Sequence, residues 1–388
     1  MKRLFLFSYL LLTIVGLSAQ TFSFTYEGAR LQYTITNIYT GTCEVTDCYE
    51  AEGDIIIPNS VQYEGENYGV QGIAARAFSH LSAHGITSVK LQNSVQYIGD
   101  YAFSGLPLLK HILIPVSVKK IGESAFEYCV SLSSVNIYSS VDNIGKNCFY
   151  GCDSLLEINV SDGNAQYASI DGVLLNKDKT EIIRFPGGKN SDGYIFPNTV
   201  ETIGELAFGG CSNITNLEIP ESVTTISQSA FYLCNNLKSI SFPNIPISIG
   251  NSAFVYCINL TSIYIPENVS YIGSHAFGYC KKLESIYYNT SNPKCFDENV
   301  FTNYSKPTLY LRESAIFEAR NINPWKQFQN IEPFDFSGVD EIIANNANVH
   351  PKDIFNLNGV KVGNDEQNLP SGIYIIRQGN SVYKKAIK

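Results

Sequence analysis

The sequence predicts a mainly β solenoid in which 23-residue repeats stack to form one parallel β-sheet face. The first observation is a phenylalanine that recurs, usually after alanine, with spacings of 25, 23, 23, 59, 23, 23 and 23 residues. The second is an isoleucine five residues before each phenylalanine, usually followed by glycine. The phenylalanines are Phe78, Phe103, Phe126, Phe149, Phe208, Phe231, Phe254 and Phe277, and the isoleucines are Ile73, Ile98, Ile121, Ile144, Ile203, Ile226, Ile249 and Ile272.

Each repeat is expected to contain one short strand. Residues 260–266 read LTSIYIP, with apolar residues at alternate positions after the leucine, which is the two-residue period of a strand. Proline cannot donate to a sheet ladder, so Pro266 and its counterparts should end the pairing. One unit is too small to bury its own apolar side chains, whereas stacked units share a continuous core. Strands one turn apart should therefore run parallel, at about 4.8 Å, in a rod of roughly 40 to 50 Å.

The whole unit reads Leu-x-x-Ile-x-Ile-Pro-x-x-Val-x-x-Ile-Gly-x-x-Ala-Phe-x-x-Cys-x-x. It resembles the BspA-type leucine-rich repeats of bacterial surface antigens, which also occur in some protist surface proteins. The resemblance covers about residues 71–307 and implies a leucine-rich-repeat solenoid that binds a partner at the cell surface. The unit departs from the pattern where Ser227 replaces glycine, Cys148 replaces alanine, and Leu81 and Leu106 replace cysteine.

The first 19 residues have the features of a signal peptide. Lys2 and Arg3 precede an apolar run that ends in small residues at Ser18 and Ala19. A membrane anchor is the competing interpretation, but the run is shorter than the roughly 20 residues of a spanning helix. We therefore expect the mature chain to have no transmembrane helix and to be secreted or placed at the cell surface, on the exterior of the outer membrane.

Three segments interrupt or end the repeat. Residues 20–70 alternate apolar and polar side chains and predict an N-terminal β cap. Residues 161–195 contain two short apolar runs around a Lys-Asp-Lys turn and predict a β-hairpin insertion, interpreted as a lengthened turn in preference to a dedicated site. Residues 308–336 include a predicted helix near residues 314–320 and the single tryptophan, Trp325. We interpret them as a C-terminal cap in preference to an aromatic ligand site.

Residues 337–388 predict a linker followed by three strands of a small β module. The strings FNLNG at residues 355–359 and LPSGIY at residues 369–374 precede a basic end with Lys384, Lys385 and Lys388. This tail resembles the C-terminal sorting domains of type IX secretion substrates in Bacteroidetes. The resemblance implies passage across the outer membrane, with removal of the tail or attachment to the cell surface. An inert β module used as a spacer is the alternative.

Six cysteines occupy one phase of the repeat, three residues after the phenylalanine. A zinc site requires ligands that converge tetrahedrally, whereas one cysteine per turn forms a straight ladder, so we predict buried thiols in the core. The six are Cys129, Cys152, Cys211, Cys234, Cys257 and Cys280. Elsewhere, Cys43 and Cys48 flank what reads as a four-residue turn. An oxidising compartment would permit a disulfide between these two.

The outer face of the parallel sheet is the predicted binding surface. The residue between two inward apolar residues of a strand points outward. These positions hold Lys90, Leu113, Asn136, Asn159, Glu218, Ser241, Tyr264 and Tyr287. Tyrosine offers a large rigid contact area and a hydroxyl, so Tyr264, Tyr287 and the neighbouring Tyr288 are the preferred contacts. Glu218, Asn136 and Lys90 complete the candidate binding residues. Ordinary packing of strand-face tyrosines on one another is the alternative.

The function predicted from the sequence is binding. A hydrophobic content of 44% with 16% charged residues indicates a folded chain, and a net charge of −9 without a basic stripe argues against nucleic-acid binding. The sequence carries no recognisable catalytic or metal-binding motif, so we expect no enzyme activity, no cofactor and no metal. We predict a monomeric, adhesin-like module that recognises a host or bacterial protein. The alternative is a glycan-binding component of a surface uptake system.

Overall fold

A computed structural model describes residues 20–79, 83, 85–190 and 194–336, together with the backbone of four strands between residues 353 and 387. The predicted signal peptide, residues 1–19, lies outside the described residues, as do parts of the predicted linker and tail. The described part contains one α-helix, α1 (Glu313–Ala319), and a short 3-10 helix (Trp325–Gln327). All other regular elements in this part are β-strands.

In the first half of the chain, a group of longer strands at the N-terminus is followed by mostly shorter strands. They are β1 (Thr21–Tyr26), β2 (Ala29–Asn37), β3 (Thr42–Glu50), β4 (Glu52–Ile57), β5 (Ser60–Tyr63), β6 (Glu66–Ile73), β7 (Gly85–Leu91), β8 (Tyr97–Ile98), β9 (His111–Leu113), β10 (Lys120–Ile121), β11 (Ser134–Ile137), β12 (Asn143–Ile144) and β13 (Glu157–Val160).

In the second half, strands of two residues alternate with strands of three or four residues over residues 181–288. The strands of this half are β14 (Tyr167–Ile170), β15 (Val173–Asn176), β16 (Glu181–Arg184), β17 (Thr202–Ile203), β18 (Asn216–Glu218), β19 (Thr225–Ile226), β20 (Ser239–Ser241), β21 (Ser248–Ile249), β22 (Ser262–Ile265), β23 (Tyr271–Ile272), β24 (Ser285–Tyr288), β25 (Thr308–Leu311) and β26 (Asn330–Pro333). The tail holds β27 (Asp353–Phe355), β28 (Lys361–Gly363), β29 (Gly372–Gln378) and β30 (Ser381–Ile387).

The chain winds as a parallel β solenoid, as predicted. The longer strands pair in parallel across turns in the orders β4-β7-β9-β11-β13, β18-β20 and β22-β24-β25-β26. A second, narrower ladder consists of strands that end at or near the recurring isoleucine, in the orders β6-β8-β10-β12 and β16-β17-β19-β21-β23. The sequence predicted one strand per turn, so this second ladder was not expected. A strand of two residues is too short to show the alternation by which strands are recognised.

Each turn has a third side, which contains the recurring phenylalanine. Backbone hydrogen bonds to the neighbouring turn hold this side in place. The amide of Phe103 donates to the carbonyl of Ala125 at 2.9 Å, and the amide of Phe254 donates to that of Ala276 at 2.7 Å. Two residues before each recurring phenylalanine the backbone is left-handed, with φ between 50° and 61°. This fixed left-handed residue gives the turn a tight corner, so that every turn places its phenylalanine in the same way.

The recurring phenylalanines form two stacked rows in the core, one from Phe78 to Phe149 and the other from Phe208 to Phe277. Phe231 and Phe254 have ring centroids 4.9 Å apart with planes inclined by 5°, and both side chains are fully buried. Phe185 of the insertion joins the second row through Phe208, at 4.8 Å, although it lacks the preceding alanine. Phe301 extends the second row beyond the last predicted copy. Each of these turns therefore buries one aromatic ring that stacks on the ring of a neighbouring turn.

The segment predicted as a hairpin insertion contains three strands. Strands β14, β15 and β16 pair antiparallel in sequence order, and β16 then pairs in parallel with β17. The apolar core is divided into two clusters of buried residues at this place. The insertion therefore joins two stacks of repeats.

A buried arginine fixes the insertion to the next repeat. Arg184 is 6% exposed, and its Nη1 donates to the carbonyls of Leu206, at 2.8 Å, and Gly209, at 3.1 Å. Its guanidinium also lies 5.8 Å from the centre of the Tyr150 ring. The spacing from Ile182 to the phenylalanine is three residues here instead of five. The arginine side chain thus fills space beside a shortened turn.

Both ends of the solenoid are covered. Strands β1, β2 and β3 form an antiparallel meander, and β3 pairs in parallel with β6. At the other end β25 and β26 extend the parallel sheet past residue 307, where the sequence placed the end of the array. Trp325 is fully buried there, and its Nε1 donates to the Lys294 carbonyl at 2.8 Å. The C-terminal segment therefore contributes two further strands as well as a cover.

The tail has a separate antiparallel sheet of order β28-β27-β29-β30. The sequence predicted three strands in this segment. The first of them, DIFNLNGVKV, instead includes residues of both β27 and β28.

Candidate functional site

The outward positions of the longer strands change in character along the solenoid. Lys90, Leu113, Asn136 and Glu218 are exposed, whereas Asn159, Ser241, Tyr264 and Tyr287 are half-buried. The exposed candidates belong to β7, β9, β11 and β18, in turns that precede the aromatic end of the face. The structure therefore separates Lys90, Asn136 and Glu218 from the predicted tyrosine contacts instead of gathering all of them in one site.

Three tyrosines stand in register on neighbouring strands at the C-terminal end of this face. Tyr264 pairs with Tyr287, and Tyr287 pairs with Tyr310. The rings of Tyr287 and Tyr310 are stacked, with centroids 4.8 Å apart and planes inclined by 12°. We call Tyr264, Tyr287 and Tyr310 the aromatic shelf. Tyr310 was not predicted because the repeat pattern was taken to end at residue 307, although Tyr310 follows Tyr287 by the repeat length of 23 residues.

A short segment of the same chain lies on the aromatic shelf. Residues 334–336, Phe-Asp-Phe, follow β26, and we call them the strap. The Phe334 ring meets Tyr287 edge to face at 5.1 Å and Tyr310 at 5.9 Å. The Phe336 ring lies 6.3 Å from Tyr264 and is 4% exposed. The strap was not predicted, because two phenylalanines near the end of an array do not indicate where they pack.

Polar groups border the aromatic shelf on one side. The amide Nδ2 of Asn289 donates to the Tyr264 hydroxyl at 2.7 Å. Arg312 Nε donates to Asn289 Oδ1 at 3.0 Å, and the guanidinium lies 5.6 Å from the centre of the Phe336 ring. The shelf thus combines aromatic surface with one positively charged group that contacts an aromatic side chain, an arrangement that favours aromatic and acidic ligands.

Tyr288 is not a surface contact, which corrects the prediction. Its side chain is fully buried and lies 4.8 Å from the Trp325 ring. The hydroxyl accepts a hydrogen bond from the Lys294 amide at 3.3 Å, and burial raises the pKa of the phenol. Successive residues of a strand point to opposite faces, so an outward Tyr287 requires an inward Tyr288. The prediction placed Tyr288 beside Tyr287 because the two are neighbours in the sequence.

The six cysteines of the repeat form a row in which each thiol meets the preceding turn. Each Sγ donates to the carbonyl of a phenylalanine 26 residues earlier. The distances are 3.1 Å for Cys129, 3.1 Å for Cys152, 3.7 Å for Cys211, 3.2 Å for Cys234, 3.4 Å for Cys257 and 3.3 Å for Cys280. Five of the six are buried, and Cys280 is partly exposed. A cysteine at this phase fills a small apolar space and also satisfies a carbonyl oxygen.

Cys43 and Cys48 do not flank a turn, which is a second correction. Both lie within β3, and neither is in a disulfide. Five residues of extended chain span about 16 Å, whereas the Cα atoms of a disulfide lie within roughly 7 Å of each other. The strand geometry therefore excludes the bridge. Cys43 is packed in the core, and its Sγ lies 3.8 Å from the Tyr68 carbonyl.

Thiol titration should divide the ten cysteines by burial. Burial raises the pKa of Cys152 and Cys211 to about 12, so their reactive thiolate is scarce at pH 8. Cys295 is exposed. We expect a chromogenic thiol reagent to react rapidly with Cys295 in the native protein and with all ten thiols after unfolding without reductant. The control variant, Cys295→Ser, should lose the rapid phase of the reaction. Finding the six repeat cysteines in disulfides or bound to a metal would contradict their packing as buried thiols.

A second aromatic surface lies in the turns that precede the longer strands. Tyr256 and Tyr279 are stacked at 4.7 Å, and Tyr232 meets Tyr256 edge to face at 5.9 Å. We call these three the tyrosine stripe. The Tyr279 side chain is 47% exposed, and its backbone is left-handed with a φ of 57°. The equivalent position of an earlier repeat holds Gly210, which is left-handed as well. A tyrosine with left-handed backbone is about 1 kcal/mol less stable than a glycine at the same position. The Tyr279 side chain therefore has a role other than stabilising the local backbone.

The described residues include no group of three or more histidine, cysteine, aspartate or glutamate side chains arranged to hold a metal ion. Among the same residues, no helix has the length and apolar character needed to cross a bilayer.

Comparison with known families gives a match over the repeat region. A family model described as the BspA type leucine-rich repeat region matches six copies, over residues 71–191 and 185–308. The chain belongs to the BspA-type leucine-rich-repeat family. This family assignment confirms the resemblance seen in the repeat unit and agrees with the parallel solenoid. A comparison with curated protein sequences finds no match.

Comparison with solved structures matches this BspA-type chain to several bacterial proteins, and PcpA shares its fold. The pneumococcal vaccine antigen PcpA is 19% identical with a TM-score of 0.53, and the alignment covers 81% of this chain and 98% of PcpA. A leucine-rich cell surface protein from Faecalibacterium prausnitzii is 24% identical with a TM-score of 0.40, over 82% of this chain and 97% of that protein. A leucine-rich-repeat protein from Bacteroides ovatus is 23% identical with a TM-score of 0.41, over 80% of this chain and all (100%) of that protein.

Proposed function

We propose that this BspA-type protein is a secreted or cell-surface, adhesin-like binding protein that recognises an extracellular protein through the aromatic shelf. The observation that carries the proposal is the row of three tyrosines in register on neighbouring strands. Rigid aromatic side chains give a large contact area for a small loss of rotational freedom, and such residues dominate the energetics of protein interfaces.

The geometry of the shelf favours a protein ligand over a glycan. Stacked at 4.8 Å, Tyr287 and Tyr310 turn their ring faces toward each other. A sugar ring packs on an open aromatic face, whereas a protein side chain can pack edge to face, as Phe334 does on Tyr287. Glycan binding by a surface uptake component is the alternative, and binding to a glycan array tests it.

We also propose a route to the surface that agrees with this function. A signal peptide at residues 1–19 would direct export, and residues 337–388 would act as a type IX sorting tail that is removed or attached at the outer membrane. Support comes from the apolar, small-residue-ended N-terminal run and from the compact antiparallel order of the tail strands. The ligand is bound by the described solenoid in either case.

Replacing Tyr264 and Tyr287 together by serine should weaken ligand binding by about 2 kcal/mol or more, which is roughly 30-fold in Kd. Both side chains lie outside the repeat core, so the fold should persist. The measurement is binding of the wild-type and Tyr264→Ser/Tyr287→Ser proteins to a matrix-protein panel and a glycan array.

The matched control replaces exposed outward residues of earlier turns, Lys90→Ser together with Asn136→Ser, and should leave binding unchanged. Binding that survives the tyrosine replacements but falls in the control variant would move the site to the N-terminal turns. Binding confined to glycans, and lost with the tyrosines, would replace the protein ligand by the glycan alternative.

A further inference from the structure

The aromatic shelf already holds an occupant, and that occupant shows what chemistry the shelf accepts. The strap places two aromatic side chains, Phe334 and Phe336, on the same surface although they are two residues apart. Side chains at such positions reach one surface when the backbone between them is extended. The shelf therefore accommodates an extended segment with the pattern aromatic-x-aromatic.

The contacts also define the direction of this segment. Phe334 meets Tyr287 and Tyr310, on β24 and β25, whereas Phe336 meets Tyr264, on β22. The chain of the strap thus leaves the last turn and runs back across the strands toward earlier turns. A ligand in the same place would cross the strands instead of adding to a sheet edge, so its side chains would carry the recognition.

The strap is joined to the last turns by a backbone hydrogen bond and by contacts of its two aromatic side chains. The Phe334 amide donates to the Leu311 carbonyl at 2.7 Å, which extends the pairing of β26 by one residue. Phe336 is held by ring contacts and by Arg312, whose guanidinium lies 5.6 Å from the ring centre. A cleft lined by Glu313 and Ser314 runs beside it. Two aromatic side chains of the strap thus contact the shelf, and another segment that supplies the same two can make the same ring contacts.

We propose that the aromatic shelf is a binding site for extended peptide segments of partner proteins that carry two aromatic residues separated by one residue, and that the strap is an internal segment which such a ligand displaces. The guanidinium of Arg312 at the Phe336 position adds a preference for an acidic residue beside the second aromatic residue. This inference rests on the proposed function, since it specifies the partner recognised by the same shelf.

The test uses the full chain with the strap side chains removed. The Phe334→Ala/Phe336→Ala variant vacates the shelf, and the probe is a labelled synthetic peptide with the sequence of residues 332–338, EPFDFSG. Fluorescence anisotropy should show binding to this variant and at least tenfold weaker binding to the wild type. The difference arises because the tethered strap competes at an effective concentration on the order of millimolar.

Matched controls connect the binding to the shelf. The same peptide with both phenylalanines replaced by alanine should not bind, and adding Tyr287→Ser to the vacated variant should lower the affinity for the intact peptide at least tenfold. Phe317→Ala, at a side chain that is 79% exposed on α1, should behave as the wild type. Should the alanine variant fail to fold, Phe334→Leu/Phe336→Leu keeps apolar bulk, removes the ring contacts, and should still bind the peptide better than the wild type does.

Equal affinity of the wild-type and vacated proteins, or no binding to a folded vacated variant, would overturn the inference. These results are distinguishable from failure of the proposed function. If a protein partner is lost with Tyr264→Ser/Tyr287→Ser but the peptide does not bind the vacated shelf, only the peptide specificity is wrong. If the partner binds independently of the tyrosines, the shelf is not its site.

Discussion

Replacing Phe231 by alanine is expected to lower the free energy of unfolding by about 3 to 5 kcal/mol. The ring is fully buried and lies between Phe208 and Phe254, with centroids 4.9 Å from each. Its neighbours are held in place by the backbone bonds between turns, so the cavity cannot close by a local shift. Urea unfolding followed by circular dichroism measures the change.

The control for this replacement is the same chemical change at an exposed site. Phe317 is 79% exposed on α1, so Phe317→Ala should alter the free energy of unfolding by less than about 0.5 kcal/mol. Were Phe231→Ala to behave like Phe317→Ala, the stacked phenylalanine rows would not be the shared source of stability that the repeat pattern implies.

Removal of Trp325 is expected to have a comparable effect, located at one end of the solenoid. The indole is fully buried against Tyr288 and Phe301, and its Nε1 donates to the Lys294 carbonyl. Trp325→Ala should cost about 3 to 5 kcal/mol, because it opens the end of the core to water. Hydrogen exchange should accelerate first in β25 and β26, since a solenoid frays from an uncovered end.

Trp325→Phe separates the two contributions of the indole. It keeps most of the apolar volume and removes the hydrogen bond, so it should cost clearly less than Trp325→Ala, with about 1 to 3 kcal/mol from the unpaired carbonyl. If exchange after Trp325→Ala accelerates uniformly along the chain instead of at the C-terminal turns, Trp325 acts in global folding and not as an end cover.

The repeated part of the fold could be predicted from the sequence because each position recurs. The phenylalanine rows and the strand face follow from residues such as Phe254 and Tyr264, whose phase is fixed by their neighbours. The phase of the cysteines, exemplified by Cys234, likewise indicated a core position. In a repeat, several equivalent residues share one environment, so their common properties indicate what that environment is. A unique segment offers only one residue for each position.

The departures arose where the sequence offered a single copy or a short pattern. Two-residue strands such as β8 carry no alternation, so the second ladder was missed. Tyr288 was misplaced because proximity to Tyr287 was considered without the alternation of strand faces. Cys43 and Cys48 lie in a strand whose polar residues resembled a turn. The contact between the strap and the aromatic shelf depends on the path of the chain after β26, which no local pattern records.

The most direct test of the central claim is a hydrogen-exchange footprint of the wild-type protein with the tightest-binding protein of the matrix panel. We expect protection in β22, β24 and β25, which carry the aromatic shelf, and faster exchange in the strap because the ligand displaces it. Protection confined to the tyrosine stripe, or to the insertion strands β14 to β16, with the shelf and strap unchanged, would contradict it.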